Sequence, residues 1–167
     1  MSQPFLIDRI IEAIGIEPRM TEAKPTPAVK PLLHRDVNGE SRKASWSYRS
    51  IIGMMSYLQQ STRPDCSKAV HQFACFCNDP KLSHECAVKC IARYLLGTKE
   101  RGVICRPDPT KGLECFDDAD FAGSWDRGDS DNPENVMSCT GYVLMYAGCP
   151  LVWCSKLQTE IALSTMG

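Results

Sequence analysis

At Gly102 the spacing of apolar residues changes from a period near 3.6 to a period of 2, so the chain must build helices first and strands afterwards. Upstream of that point three blocks keep the helical period. Trp46 to Gln60 places Ile51, Met55 and Leu58 at i, i+4 and i+7, with Tyr48 and Ile52 beside them. Arg63-Pro64-Asp65 resets the chain, since proline suits a first helical turn, and Cys66 to Asn78 repeats an apolar face through Ala69, Val70, Phe73 and Phe76 or Cys77. After a break at Asn78-Asp79-Pro80, Ser83 is predicted to cap a third helix from His84 to Leu96. Glu85 stands in its first turn, Val88, Ile91 and Leu95 point inward, and Gly97 is the stop. Downstream, Gly102 to Arg106 and Leu113 to Asp118 read as strands. Thr140 to Tyr146 and Leu151 to Ser155 read as a hairpin joined by Ala147-Gly148-Cys149-Pro150, and 126–137 as a polar, acidic loop. The expected fold class is α+β.

Phe5 to Ile14 has the apolar period of a packed helix, and Gly15 stops it. From Glu17 to Ser45 four prolines, mixed charge and an Asn38-Gly39 turn predict an extended linker lying over something else. The expected organisation is therefore an extended segment over 1–45 with one short helix, a helical segment over 46–100, and a strand region over 101–167. At 167 residues this makes one ordinary domain or two small subdomains. No apolar run reaches the length of a membrane span, and a charged n-region with an h-region is missing. The expectation is an intracellular chain, cytoplasmic or nuclear, with no membrane partner. Ten cysteines contain no Cys-x-x-Cys pair. Buried free thiols on helices are expected, because reduced cysteine packs as a small apolar residue; a zinc site of Cys86 and Cys90 with His84 or His71 is the alternative.

Chemistry concentrates in Phe116-Asp117-Asp118-Ala119-Asp120-Phe121-Ala122-Gly123, where three carboxylates fall within four residues. In a strand, alternation sends Leu113, Cys115 and Asp117 to one face and Glu114, Phe116 and Asp118 to the other. A carboxylate in a partly dry sheet needs a cation or a partner, and hard ions such as Mg²⁺ take oxygen ligands; an acidic turn in solvent needs neither. Charge is also unevenly distributed. Lys81 to Arg106 holds six basic residues against two acidic, and Pro107 to Asn135 holds nine acidic against two basic. Such a swing suits a polyanion held beside a metal-binding cluster, or two ordinary solvated faces. Lys89 and Arg93, four apart on the third helix, are candidates for phosphate contacts or for a solvated surface.

Seven stretches, in order, resemble the polyprotein of Ty1/copia-type LTR retrotransposons. They are Tyr48-Arg49-Ser50-Ile51-Ile52-Gly53, Ser61-Thr62-Arg63-Pro64-Asp65, Arg93-Tyr94-Leu95-Leu96-Gly97-Thr98, Asp118-Ala119-Asp120-Phe121-Ala122-Gly123, Ser138-Cys139-Thr140-Gly141-Tyr142, Trp153-Cys154-Ser155-Lys156 and Ala162-Leu163-Ser164-Thr165. The resemblance covers nearly the whole chain and corresponds to the end of the reverse transcriptase region and the start of the ribonuclease H domain. It implies a helical connection segment followed by the first three strands of a ribonuclease H-like antiparallel sheet. The family's ribonuclease H cleaves the RNA strand of an RNA–DNA hybrid with carboxylates that hold two Mg²⁺ ions. Asp118 matches its first catalytic aspartate, and Asp120 matches a further acid of that motif, so both are the implied metal ligands. The next catalytic acid is a Glu in Ser-Thr-x-Glu, and that position is Gly167 here. The paired aspartates of the polymerase palm have no counterpart.

The resemblance thus implies a Pol polyprotein fragment that is inactive as this chain and holds no Mg²⁺ tightly. Its partners would be an RNA–DNA hybrid or other nucleic acid and the rest of the Pol polyprotein. The alternative is a non-catalytic nucleic-acid-binding module that uses Lys89 and Arg93. Departures from the family pattern at Leu96, often Lys, and Cys139, often Arg, remove positive charge. Three strands alone leave an unpaired edge, so aggregation is a further expectation.

Overall fold

The computed structural model describes residues 1–18, 22–28, 33–120 and 137–161. The chain divides into two compact units, Met1–Val103 and Ile104–Gly167. Helices fill the first and an antiparallel sheet the second, so the α+β class holds.

In the first unit, helix α1 (Pro4–Ile14) starts with proline in its first turn and buries Ile7, Ile10, Ile11 and Ile14. Gly15 ends it at φ 75°, where a side chain would be strained, and the Ile16 amide closes back on the Ile11 carbonyl at 3.1 Å. Helix α2 (Tyr48–Ser61) is capped by Ser47, whose hydroxyl accepts from the Ser50 amide, and it buries Tyr48, Ile51, Ile52, Met55 and Leu58. A 3₁₀ turn over Pro64–Cys66 leads into α3 (Ser67–Ala74), and α4 (Leu82–Gly97) follows. The four helices share one apolar core, with Phe73, Val88, Ile91 and Leu95 at its centre. Helix α1 belongs to that core along its whole inner face.

Two helix boundaries differ from expectation. The second block does not run on to Asn78: α3 stops at Ala74, and the chain turns so that Phe76 lies flat on the His84 ring with centroids 4.0 Å apart. Aromatic stacking there outweighs one more helical turn. The third helix begins at Leu82, and Ser83 is not its cap, because its hydroxyl donates to Asp36 Oδ2 at 2.8 Å. His84 does the work instead: Nδ1 accepts from the Lys81 amide at 3.1 Å, and Nε2 meets the His34 carbonyl at 3.0 Å. Since Nδ1 accepts, the imidazole proton sits on Nε2.

The described parts of 17–45 hold no helix. Segment 33–46 lies along the first turns of α4, where the Leu82 amide donates to the Glu40 carbonyl at 2.9 Å and Ser41 bridges Lys81. The expected turn at Asn38-Gly39 forms, with the Gly39 amide on the Asp36 carbonyl.

In the second unit, strands β1 (Leu113–Ala119), β2 (Cys139–Tyr146) and β3 (Cys149–Leu157) form a sheet in the order β1-β2-β3, antiparallel throughout. The stretch Gly102 to Arg106 does not form a strand. The Val103 amide bonds the Met1 carbonyl rather than a ladder, and Ile104 is left exposed. Alternation without a neighbouring strand makes no sheet.

The hairpin is tighter than expected. Only Ala147 and Gly148 form its loop, both at positive φ (51° and 72°), while Cys149 and Pro150 join β3. Two left-handed residues match the twist of paired strands, and that gain outweighs the cost of an alanine there. Pro150 fits because β3 is an edge strand and the register shifts beside it, between Leu144 and Met145.

Candidate functional site

The strand unit carries the acidic candidates. Asp118 pairs with Gly141, which pairs with Ser155, so these three lie on one face of the sheet with Glu114 and Phe116. Asp117 pairs with Tyr142 and faces the other way. Every residue of β1 is exposed, including Leu113 and Phe116. Asp120 sits just past the strand, where Oδ1 accepts from the Cys139 amide at 2.6 Å and its own amide donates to the Cys139 carbonyl at 3.1 Å. Its carboxylate therefore holds the open end of the β1–β2 ladder. Among the described residues no three His, Cys, Asp or Glu side chains converge on a metal position. Phe121 to Gly123, the 126–137 loop up to residue 136, and the Ser164-Thr165-Met166-Gly167 stretch lie outside the described residues.

The zinc alternative asked for His84 or His71 beside Cys86 and Cys90, and among the described residues no three such side chains converge on a metal position. His84 is buried and both its ring nitrogens are engaged. All ten cysteines are free, but the expectation of buried thiols on helices holds only in part. Cys66 is buried in the helical core, and burial pushes its thiol up to about 12, away from the reactive range. Cys75, Cys86, Cys105 and Cys115 are exposed. Cys86 falls between buried neighbours Glu85 and Ala87, where the helical turn carries it away from the core.

The helical unit carries the basic candidates. Lys89 and Arg93 are half-buried on α4. Lys89 Nζ lies 2.6 Å from Glu85 Oε1, one turn back. Glu85 is itself buried, and its second oxygen accepts from the Ala44 amide at 3.3 Å and lies 3.6 Å from Arg42 Nε. Burial alone would raise its carboxyl, but the hydrogen bond and charge of Lys89, with help from Ala44 and Arg42, outweigh it and hold the group below its ordinary range. The Arg42 guanidinium stacks 4.4 Å from the Trp46 ring centre and donates to the Trp46 carbonyl. Arg93 Nε is buried without a hydrogen-bond partner. By sequence the helical unit holds fifteen Lys and Arg against ten Asp and Glu, a net +5, whereas the strand unit holds four against ten, a net −6.

Sequence reasoning missed a polar cluster centred on Arg63. Arg63 is only 1% exposed, yet every side of its guanidinium is used. Nε and Nη2 clasp the Asp65 carboxylate at 3.0 and 2.8 Å, while Nη1 and Nη2 reach the Thr98 carbonyl and hydroxyl at 3.0 and 2.6 Å. Tyr94 donates its hydroxyl to Asp65 Oδ2 at 2.6 Å, and the guanidinium lies 5.4 Å from the Tyr94 ring centre. Burial would push the Asp65 carboxyl up, but the bonds from Arg63 and Tyr94 hold it below its usual value. Two stretches met separately in the sequence, Ser61 to Asp65 and Arg93 to Thr98, are thus one network. The only available signal was their joint presence in the ordered set of motifs, because no local rule predicts a buried arginine.

The chain is 34% identical over 173 aligned residues to the retrovirus-related Pol polyprotein from transposon TNT 1-94 of Nicotiana tabacum, an alignment covering 99% of this chain and 12% of that protein. It is 36% identical to the Pol polyprotein from transposon RE1 of Arabidopsis thaliana, over 71% of this chain and 7% of that protein. It is also similar to secreted RxLR effector protein 161 of Plasmopara viticola, at 35% identity over 71% of this chain and 78% of that protein. No family model matches, and no solved structure does. The chain belongs to the retrovirus-related Pol polyproteins of copia-type transposons. It spans about a tenth of the length of the transposon relatives named here.

Proposed function

We propose that this chain is the part of a retrotransposon Pol polyprotein that joins the end of the reverse transcriptase region to the start of a ribonuclease H-like sheet, and that these 167 residues do not cleave nucleic acid by themselves. The observation that carries the reading is the match to a transposon Pol polyprotein along 99% of the chain. The change from helices to an antiparallel sheet at Val103 and Ile104 fits a junction between two functional regions. Asp118 on β1 would be the residual ligand of a two-Mg²⁺ site and Asp120 its neighbour, but two-metal chemistry needs several converging carboxylates. Gly167 stands where the family pattern has a glutamate. The purified chain, given an RNA–DNA hybrid and Mg²⁺, is expected to leave the RNA strand intact; Mg²⁺-dependent cleavage that Asp118→Asn abolishes would overturn this.

A second reading is favoured by the net charge of +5 on the helical unit: a nucleic-acid-binding module without catalysis, in which Lys89 and Arg93 contact phosphates. Binding is then expected to weaken steeply between low and physiological salt. In Lys89→Ala/Arg93→Ala the salt slope should flatten by about two phosphate contacts' worth. An unchanged slope in the double variant excludes this face.

A further inference from the structure

Resting on that second reading, we propose that Glu85 governs how strongly the Lys89 and Arg93 face of α4 holds a polyanion, and that Arg42 tunes it. Lys89 spends its charge inward, since its ammonium is 2.6 Å from Glu85 Oε1. The carboxylate does not depend on Lys89 for its position. Its other oxygen is fixed by the Ala44 amide at 3.3 Å and by Arg42 Nε at 3.6 Å, and its side chain is 3% exposed. A phosphate that draws Lys89 outward must therefore win it from an anion that cannot turn away, and that anion also repels the phosphate.

Arg42 offsets this. Two cations around one carboxylate leave a net +1 beside Arg93, whereas the Glu85–Lys89 pair without Arg42 is neutral. Arg42 is delivered by the segment 33–46, which is bonded to α4 through Glu40 and Leu82, Asp36 and Ser83, and His34 and His84. How that segment seats on α4 thus sets the charge α4 offers, although the segment need not touch nucleic acid at all.

The test is fluorescence anisotropy of a labelled RNA–DNA hybrid at low salt, using the full 167-residue chain. Glu85→Gln keeps the shape and an acceptor for Ala44 while removing the charge, and is expected to bind about threefold to tenfold tighter. Arg42→Gln is expected to bind about threefold weaker. In a Lys89→Ala background the gain from Glu85→Gln should shrink, because only the direct repulsion between the carboxylate and the phosphate is then relieved. Shifts of the same sign in both variants would mark a purely structural role and overturn the proposal, as would a gain that is undiminished without Lys89. If Lys89→Ala/Arg93→Ala binds as well as the unmodified chain, the nucleic-acid face itself is wrong and the proposal falls with it. If that double variant binds weakly but Glu85→Gln gains nothing, only the proposal fails. Should Glu85→Gln lose its helical circular dichroism, Arg42→Gln decides alone, and undiminished binding overturns the proposal.

Discussion

Asp65→Ala is expected to destabilise the helical unit by about 3 to 5 kcal/mol, more than Arg63→Met at the other end of the same ion pair. The asymmetry follows from exposure. Arg63 is 1% exposed and Asp65 37%, so deleting the carboxylate strands a buried cation, whereas deleting the guanidinium leaves an anion that water can reach. Arg63→Met still leaves the Thr98 carbonyl without its side-chain donor, for about 1 to 3 kcal/mol, while the Thr98 hydroxyl keeps its bond to the Tyr94 carbonyl at 2.8 Å. Urea unfolding followed by circular dichroism measures both, and a larger loss for Arg63→Met would contradict the argument. The pH profile gives a second readout. Because the folded Asp65 carboxyl is held below its unfolded value, its contribution is fully present above the unfolded value and is lost as pH falls through the folded one. Arg63→Met should remove most of that acid-side slope.

Ile10→Ala is the second large effect, at about 2 to 5 kcal/mol. Ile10 is fully buried in the shared core, on a helix that ends at Ile14 whereas α2 begins only at Tyr48. If α1 were an appendage the substitution would cost little and the remaining helices would melt unchanged. A single cooperative transition at lower denaturant concentration is the expected result, and an unshifted midpoint with loss of only α1 helicity would refute it.

Much of this fold was legible from side-chain period. Ile51, Met55, Leu58, Val88, Ile91 and Leu95 are buried where helical spacing puts them, and the alternation of Asp117 and Asp118 across the sheet matches the observed register. Misreadings arose where a local preference was outweighed from elsewhere in the chain. Ser83 has the chemistry of a cap, but Asp36 takes its hydroxyl and leaves the work to His84. Gly102 to Arg106 alternates without a strand to pair with. Among the candidate site residues, Lys89 and Arg93 share a helix face as their spacing requires, but nothing local announced that Glu85 would be buried between Lys89 and Arg42.

By itself, the amino-acid order determined the change from helices to strands, the apolar faces and the family, because each is written in residues close together along the chain or in the order of its motifs. Tertiary structure alone decided which polar groups meet. Arg63 and Thr98 lie 35 residues apart, as Ala44 and Glu85 lie 41 apart, and such pairs form only after the helices that carry them have packed. Burial then makes each unpaired charge costly, so the fold, rather than any local propensity, selects their partners.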